Sequence, residues 1–445
     1  MTRLPHQHRR AVARVAGAAL LATAGIAGSL AGPPTAPAAA AVPPHAAVPP
    51  HAAVPASPAG LPVLADPVRD EQWQLTELDA KAAWKVATGK DVTVAVIDSG
   101  VDASHPDLAG QVLSGIDLVD ETGNGQTDPV GHGTTVAALI AGRNDDSRGV
   151  AGLAPKAKIL PVRVLDEENR YDDALIVAKG VRWAVDNGAQ VVNLSLGGTG
   201  DSPALAAALD YAFARDVVVV ACTGNLGSSS GKRVWYPARE PGVVAVAGLE
   251  RESDALWSGS ITGPETVLTA PATNITGARP GGIWRVQGTS FAAPLVAAAA
   301  ALVRSHWPKM SAGDVVNRLI NTARDVGPSG RDDRFGFGVV DPVAALNGEV
   351  SSVRSNPLDD GGAPPGVAGF GSAPGQEPTT PPAAEQPEGV GTAASGSSAD
   401  WDAEPAGNQV VHPLSGLWGG GGLLLILAVA AAVTLLRRRL RRDRL

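Results

Sequence analysis

Apolar residues in the middle of this chain fall into two alternating patterns. Short continuous runs, "VTVAVID" ending at Asp98, "AKILPVRVL", "AQVVNLSL", "DVVVVACTGN" and "GVVAVAG", are rich in β-branched residues and lack polar alternation. Runs of this kind suit strands covered on both faces, as in a parallel sheet. Between and after them lie longer, alanine-rich stretches with helical spacing: "GTTVAALIAG", "DDALIVAKGVRWAVDNG", "PALAAALDYAFARD", "SFAAPLVAAAAALVRSHW" and "SAGDVVNRLINTA". Several close on glycine or asparagine, residues that end helices readily. The alternation predicts a three-layer α/β/α domain with a mostly parallel central sheet, over residues 70–348. In such a sheet ligands gather at the carboxyl ends of the strands.

The flanks follow different patterns. Residues 1–40 read as a secretory signal, because Arg3, Arg9, Arg10 and Arg14 precede the apolar run "AGAALLATAGIAGSLAG". Residues 41–69 are a Pro/Ala-rich linker whose His45 and His51 belong to a proline repeat. Residues 349–416 form a Gly/Pro/Ser-rich stalk. Residues 417–436, "LWGGGGLLLILAVAAAVTLL", are long enough to span a bilayer, and the arginine-rich tail 437–445 is expected on the cytoplasmic side. The expected protein is a single-pass cell-membrane protein with an extracytoplasmic domain.

Charge and cysteine content narrow the partners. Without the signal and the tail the chain keeps 26 basic against 43 acidic residues, a net charge near −17. Nucleic acid is an unsuitable partner for such a surface. Cys222 is the sole cysteine, so an exported domain has to hold together by packing without an internal disulfide. Cys222 itself reads as a buried strand residue.

Four polar residues stand where the pattern places strand ends and helix starts. Asp98 closes "VTVAVID"; His132 opens a helix behind Gly131; Asn225 follows "DVVVVACTG"; Ser290 opens the alanine-rich helix. Each has a plain reading as a turn or cap residue. Ser290 carries a complication, because Pro294 four residues on has no N–H to offer its carbonyl. A hydroxyl at a helix N-terminus, with an imidazole, a carboxylate and an amide donor, is the equipment of nucleophilic acyl transfer.

The motifs "AVIDSGVDASHPDL", "GHGTTVAALIAG", "NLSLGG", "TGN" and "GTSFAAPLVA" resemble those of subtilisin-type serine proteases, in the same order. The resemblance implies a serine endopeptidase with Asp98, His132 and Ser290 as its triad, and Asn225 with the Ser290 N–H as oxyanion hole. Ser195, Leu196 and Gly197 would line the substrate, and "WYPAR" at Trp235–Arg239 resembles a segment near the specificity pocket. No cofactor is implied for the chemistry, whereas structural calcium is frequent in the family. Thr135 stands where many subtilases place histidine, a change expected to affect packing. The stretch "DEQWQLTELDAKAAWKVATGKDVTVAVIDSG", with the stalk and span, resembles more narrowly the mycosins, membrane-anchored subtilases of type VII secretion, although mycosins usually carry cysteine pairs. That resemblance implies protein or peptide substrates and contacts with components of a secretion complex. It leaves open a second reading, a structural subunit whose protease activity is dispensable.

Overall fold

The computed structural model describes residues 66–120, 122–146, 148–227, 232–359, 396–397 and 402–405. The expected signal, most of the linker, the membrane span and the tail lie outside them. Among the described residues no helix is long and apolar enough to cross a membrane.

Seven strands form one sheet in which every pairing is parallel: β1 (Thr93–Asp98), β2 (Ile116–Asp117), β3 (Lys158–Arg163), β5 (Val191–Leu194), β6 (Val218–Cys222), β7 (Val244–Leu249) and β8 (Leu268–Pro271), in the order β2-β3-β1-β5-β6-β7-β8. A two-residue strand, β4 (Arg170–Tyr171), lies outside this sheet. All five apolar runs of the sequence become central strands, and β1, β3 and β5 to β7 are buried almost throughout. The buried pair Asp117–Arg163, 2.9 Å apart, fastens the short edge strand β2 to β3.

Helices cover the sheet in packed pairs. α4 (His132–Ala141) lies against α7 (Thr289–His306), and α5 (Ala174–Asp186) lies against α6 (Pro203–Phe213). α7 packs on β5, β6, β7 and β8 and is buried from Thr289 to Arg304. Its alanines let it approach the strands closely, while Phe291, Leu295, Val296, Leu302 and Val303 fill the space between; each such side chain contributes roughly 1.5–3 kcal/mol of burial. α8 (Ala312–Asn321) and α9 (Pro342–Asn347) complete this layer.

The fold reaches past both boundaries expected for the domain. Asp66 caps α1 (Pro67–Asp70), inside the expected linker, and α2 (Trp73–Glu77) and α3 (Ala80–Ala83) follow. This arm is tied down by side-chain bonds to distant backbone: Gln72 Nε2 to Ala151 O, Trp73 Nε1 to Thr273 O and Gln74 Nε2 to Thr276 O. At the other end Asn317 Nδ2 donates to Ser351 O, and Gly242 N to Leu358 O. The sequence pattern also missed a hairpin, β9 (Ile275–Arg279) with β10 (Gly282–Gln287), which leads directly into α7.

Candidate active site

Asp98 is the last residue of β1, and the sheet order sets it near the middle of the carboxyl edge. His132 is the first residue of α4, so a strand end and a helix start meet. His132 Nδ1 lies 2.7 Å from Asp98 Oδ1, with both side chains fully buried. An ionised carboxylate only accepts, so Nδ1 carries the hydrogen and Nε2 is the nitrogen left to take a proton. Asp98 Oδ1 also accepts from Ser99 N at 2.8 Å, which fixes the carboxylate. The close approach depends on Gly133, where an added Cβ would stand 2.1 Å from Gly100 O and 3.1 Å from Asp98 Cβ.

The loop ahead of His132 is organised by Asp128, which the sequence reading did not single out. Its Oδ1 accepts from Ser99 Oγ, Val130 N and Gly131 N, and its Oδ2 from Thr134 N and Thr134 Oγ1. One buried carboxylate thus binds the residues on both sides of His132. Burial raises its pKa, opposed by the bonds from Thr134, Gly131 and Ser99. An aspartate before proline signals a turn, but its five donors come from backbone and hydroxyl groups that no motif marks.

Ser290 lies on α7, the helix that packs against α4, which His132 opens. The helix is capped by Gly288, at φ +143°, so Ser290 is its second residue rather than its N-cap. Phe291, the next residue, has its ring 5.3 Å from the His132 ring. Ser290 is fully buried, with Oγ 3.9 Å from Cys222 Sγ. Pro294 lies inside the helix, and the Ser290 carbonyl it cannot serve is taken by Ser195, whose Oγ donates to it at 2.7 Å. Asn193 Nδ2 in turn donates to Ser195 Oγ at 2.9 Å. The turn of the helix that contains Pro294 is therefore coupled to the end of β5.

Asn225 stands beyond β6, as its position in the sequence implied. Its Oδ1 accepts from Thr289 N at 3.0 Å and Thr289 Oγ1 at 2.9 Å, while Thr289 Oγ1 accepts from Gly224 N at 3.2 Å. With the carbonyl end held by Thr289, the Nδ2 end lies toward Gly288, 3.5 Å from where a Cβ there would stand. A side-chain amide thus lies near Gly288 at the start of α7, where first-turn N–H groups have no intrahelical acceptor.

The expected substrate-lining segment follows β5. Ser195 and Leu196 are fully buried, so their side chains serve the interior, and Ser195 is occupied by the Ser290 carbonyl. Any contact that Ser195 or Leu196 makes with a peptide would therefore have to be through backbone. Gly198 and Tyr236 exchange two backbone bonds, of 2.9 and 2.8 Å, which joins this segment to the Trp235–Arg239 stretch. Arg239 bridges back to Asp201 and to the carbonyls of Thr199 and Val234. Thr135 Oγ1 lies 2.9 Å from both Gly131 O and Ala278 O, a packing role between α4 and β9. Among the described residues no group of three or more His, Cys, Asp or Glu side chains is placed to hold a metal ion.

A family model described as the subtilase family matches residues 89–338, more than half the chain. The chain belongs to the subtilase family. Subtilisin E of Bacillus subtilis (strain 168) is 42% identical over 260 residues, covering 58% of this subtilase and 66% of the relative. The chain thus spans just under two thirds of the length of the first subtilisins it matches. Among solved structures, MycP1 from Mycobacterium smegmatis is 30% identical with a TM-score of 0.57, covering 66% of this chain and 89% of that one. The MycP3 protease from the type VII (ESX-3) secretion system is 33% identical with a TM-score of 0.54, covering 62% and 88%. The three-layer architecture read from the apolar pattern is the subtilase fold, and the narrower likeness extends to mycosins.

Proposed function

We propose that this subtilase is a serine endopeptidase with Asp98, His132 and Ser290 as its triad. The 2.7 Å contact between His132 Nδ1 and Asp98 Oδ1, on the α4 face packed against the helix that carries Ser290, is the observation that supports it most. In this reading His132 Nε2 takes the Ser290 hydroxyl proton as Oγ attacks the peptide carbonyl. Asp98 holds the ring in the required tautomer and offsets the charge of the imidazolium. Asn225 Nδ2 and Ser290 N–H receive the oxyanion, and His132 then returns the proton to the leaving amine. Water hydrolyses the acyl-enzyme by the same sequence in reverse.

A phosphonylating active-site probe tests the assignment. The folded wild type should be labelled on Ser290 and the Ser290→Ala variant should not. A folded wild type that stays unlabelled sinks the reading.

We further propose that the catalytic domain works outside the cell membrane, tethered by the apolar segment 417–436, and acts with a type VII secretion complex. The likeness to MycP3 supports the second part and the arginine-rich tail the first. The same likeness favours a second reading, in which the domain is a structural subunit of such a complex. Complementation distinguishes them: Ser290→Ala restores secretion to a deletion strain only if catalysis is dispensable.

A further inference from the structure

Two strand edges flank the triad. β10 ends at Gln287, with only Gly288 and Thr289 between it and Ser290. β4 lies on the side of Asp98: Val164 N, just past β3, donates to Asp98 O at 2.8 Å, and a turn closed by Arg170 N to Asp166 Oδ1, 2.8 Å, leads into β4. Tyr171 of β4 is buried, and its phenol is raised first by that burial and then by Cys222, the neighbour of Ser290. β4 and β10 are thus the edges a peptide would meet on either side of the nucleophile.

Both edges are paired by one stretch of the same chain. β11 (Gly396–Ser397) runs antiparallel to β4, with Gly396 opposite Tyr171 and Ser397 opposite Arg170. β12 (Asp402–Pro405) runs antiparallel to β10, from Asp402 opposite Gln287 to Pro405 opposite Trp284. Covalent geometry keeps Ser397 and Asp402 within about 18 Å of each other. β11 therefore lies on the Asp98 side and β12 on the Ser290 side. Strand addition to an exposed edge is how extended peptides are recognised, with main-chain bonds supplying affinity.

We propose that β11 and β12 of the stalk occupy the peptide-binding edges of their own catalytic domain, as a substrate-like strand that competes with external peptides. The inference rests on the protease reading. An occupant tethered at an effective concentration on the order of millimolar raises the apparent KM about tenfold when its own dissociation constant is about 0.1 mM.

The test uses the full chain in detergent, with turnover of a fluorogenic peptide as the readout. In one variant residues 394–407 are replaced by Gly/Ser of equal length, which keeps the tether and removes the two strands. The variant should show a KM lower by about tenfold with kcat unchanged, and a synthetic peptide of residues 394–407 should inhibit it competitively. A wild-type cut between Ser397 and Asp402 that is absent in Ser290→Ala would also support occupancy. Equal KM in the two chains, with no inhibition by the peptide and no such cut, overturns the proposal while leaving the protease reading intact. If neither chain turns over the peptide nor reacts with the serine probe, the protease reading falls and the inference with it.

Discussion

Ser195 donates its hydroxyl hydrogen to the carbonyl of Ser290 across 2.7 Å, and so satisfies the acceptor that Pro294 leaves without a helical partner. The contact joins the end of β5 to the residue proposed as the nucleophile. Ser195→Ala should therefore destabilise the fold by about 1–3 kcal/mol, the cost of a buried acceptor left unsatisfied. It should also lower kcat more than it raises KM, because Ser290 loses a positional restraint. Denaturant unfolding and steady-state kinetics check both; an unchanged midpoint together with unchanged kcat would show the bond to be incidental.

Asn225 has a divided role, with Oδ1 holding Thr289 and Nδ2 lying toward Gly288. Asn225→Asp keeps the acceptor that anchors α7 and replaces the donating amide with a carboxylate oxygen that repels an oxyanion. We expect kcat to fall by about a hundredfold or more, with the thermal midpoint shifted only slightly. A variant that retains turnover would remove Asn225 from the oxyanion hole.

The candidate site residues were legible because they stand at points that pattern alone can locate. Asp98 ends an apolar strand, His132 directly follows a capping glycine, Ser290 stands two residues after one, and Asn225 follows a strand in a turn. The rest was hidden for a common physical reason. Asp128 was not marked, nor was the bond from Ser195 to the Ser290 carbonyl, because most of their partners are backbone groups, and a backbone N–H or carbonyl leaves no letter in a sequence. The N-terminal arm was hidden similarly, since Gln72, Trp73 and Gln74 reach carbonyls 79 to 202 positions away. The β9–β10 hairpin escaped because "ITGARPGGIWRVQ" is broken by glycine, proline and arginine, and β10 is only partly buried, which removes the apolar run that marked the central strands.

Asp128 yields a prediction with a definite sign in pH. Burial raises its carboxyl pKa in the folded state, so the native protein holds a proton at pH values where the unfolded chain has released it. The corresponding stability is complete below the ordinary carboxylate value and declines as pH rises through the folded-state value. Asp128→Asn cannot ionise and should flatten this part of the stability profile, at the cost of setting an amide donor against Thr134 or Gly131. Urea melts of both proteins from acid to neutral pH decide it. A wild-type profile that rises where this one should fall contradicts the assignment.

Cys222 lies beside Ser290, and burial pushes its thiol up to about 12, against weaker opposing bonds from Ser290 and Thr289. At pH 8 the folded protein therefore keeps this thiol protonated, whereas an unfolded chain presents an appreciable share of the reactive thiolate. A disulfide reagent should leave the native protein unmodified at pH 8 and titrate one thiol after denaturation. The same shift works against stability in alkali. Between about pH 9 and 12 the unfolded state sheds a proton that the native state retains, so stability falls as pH rises through that window. Rapid modification of the folded chain at pH 8, at a rate close to that of the unfolded chain, would show that the thiol is not sealed beneath Ser290.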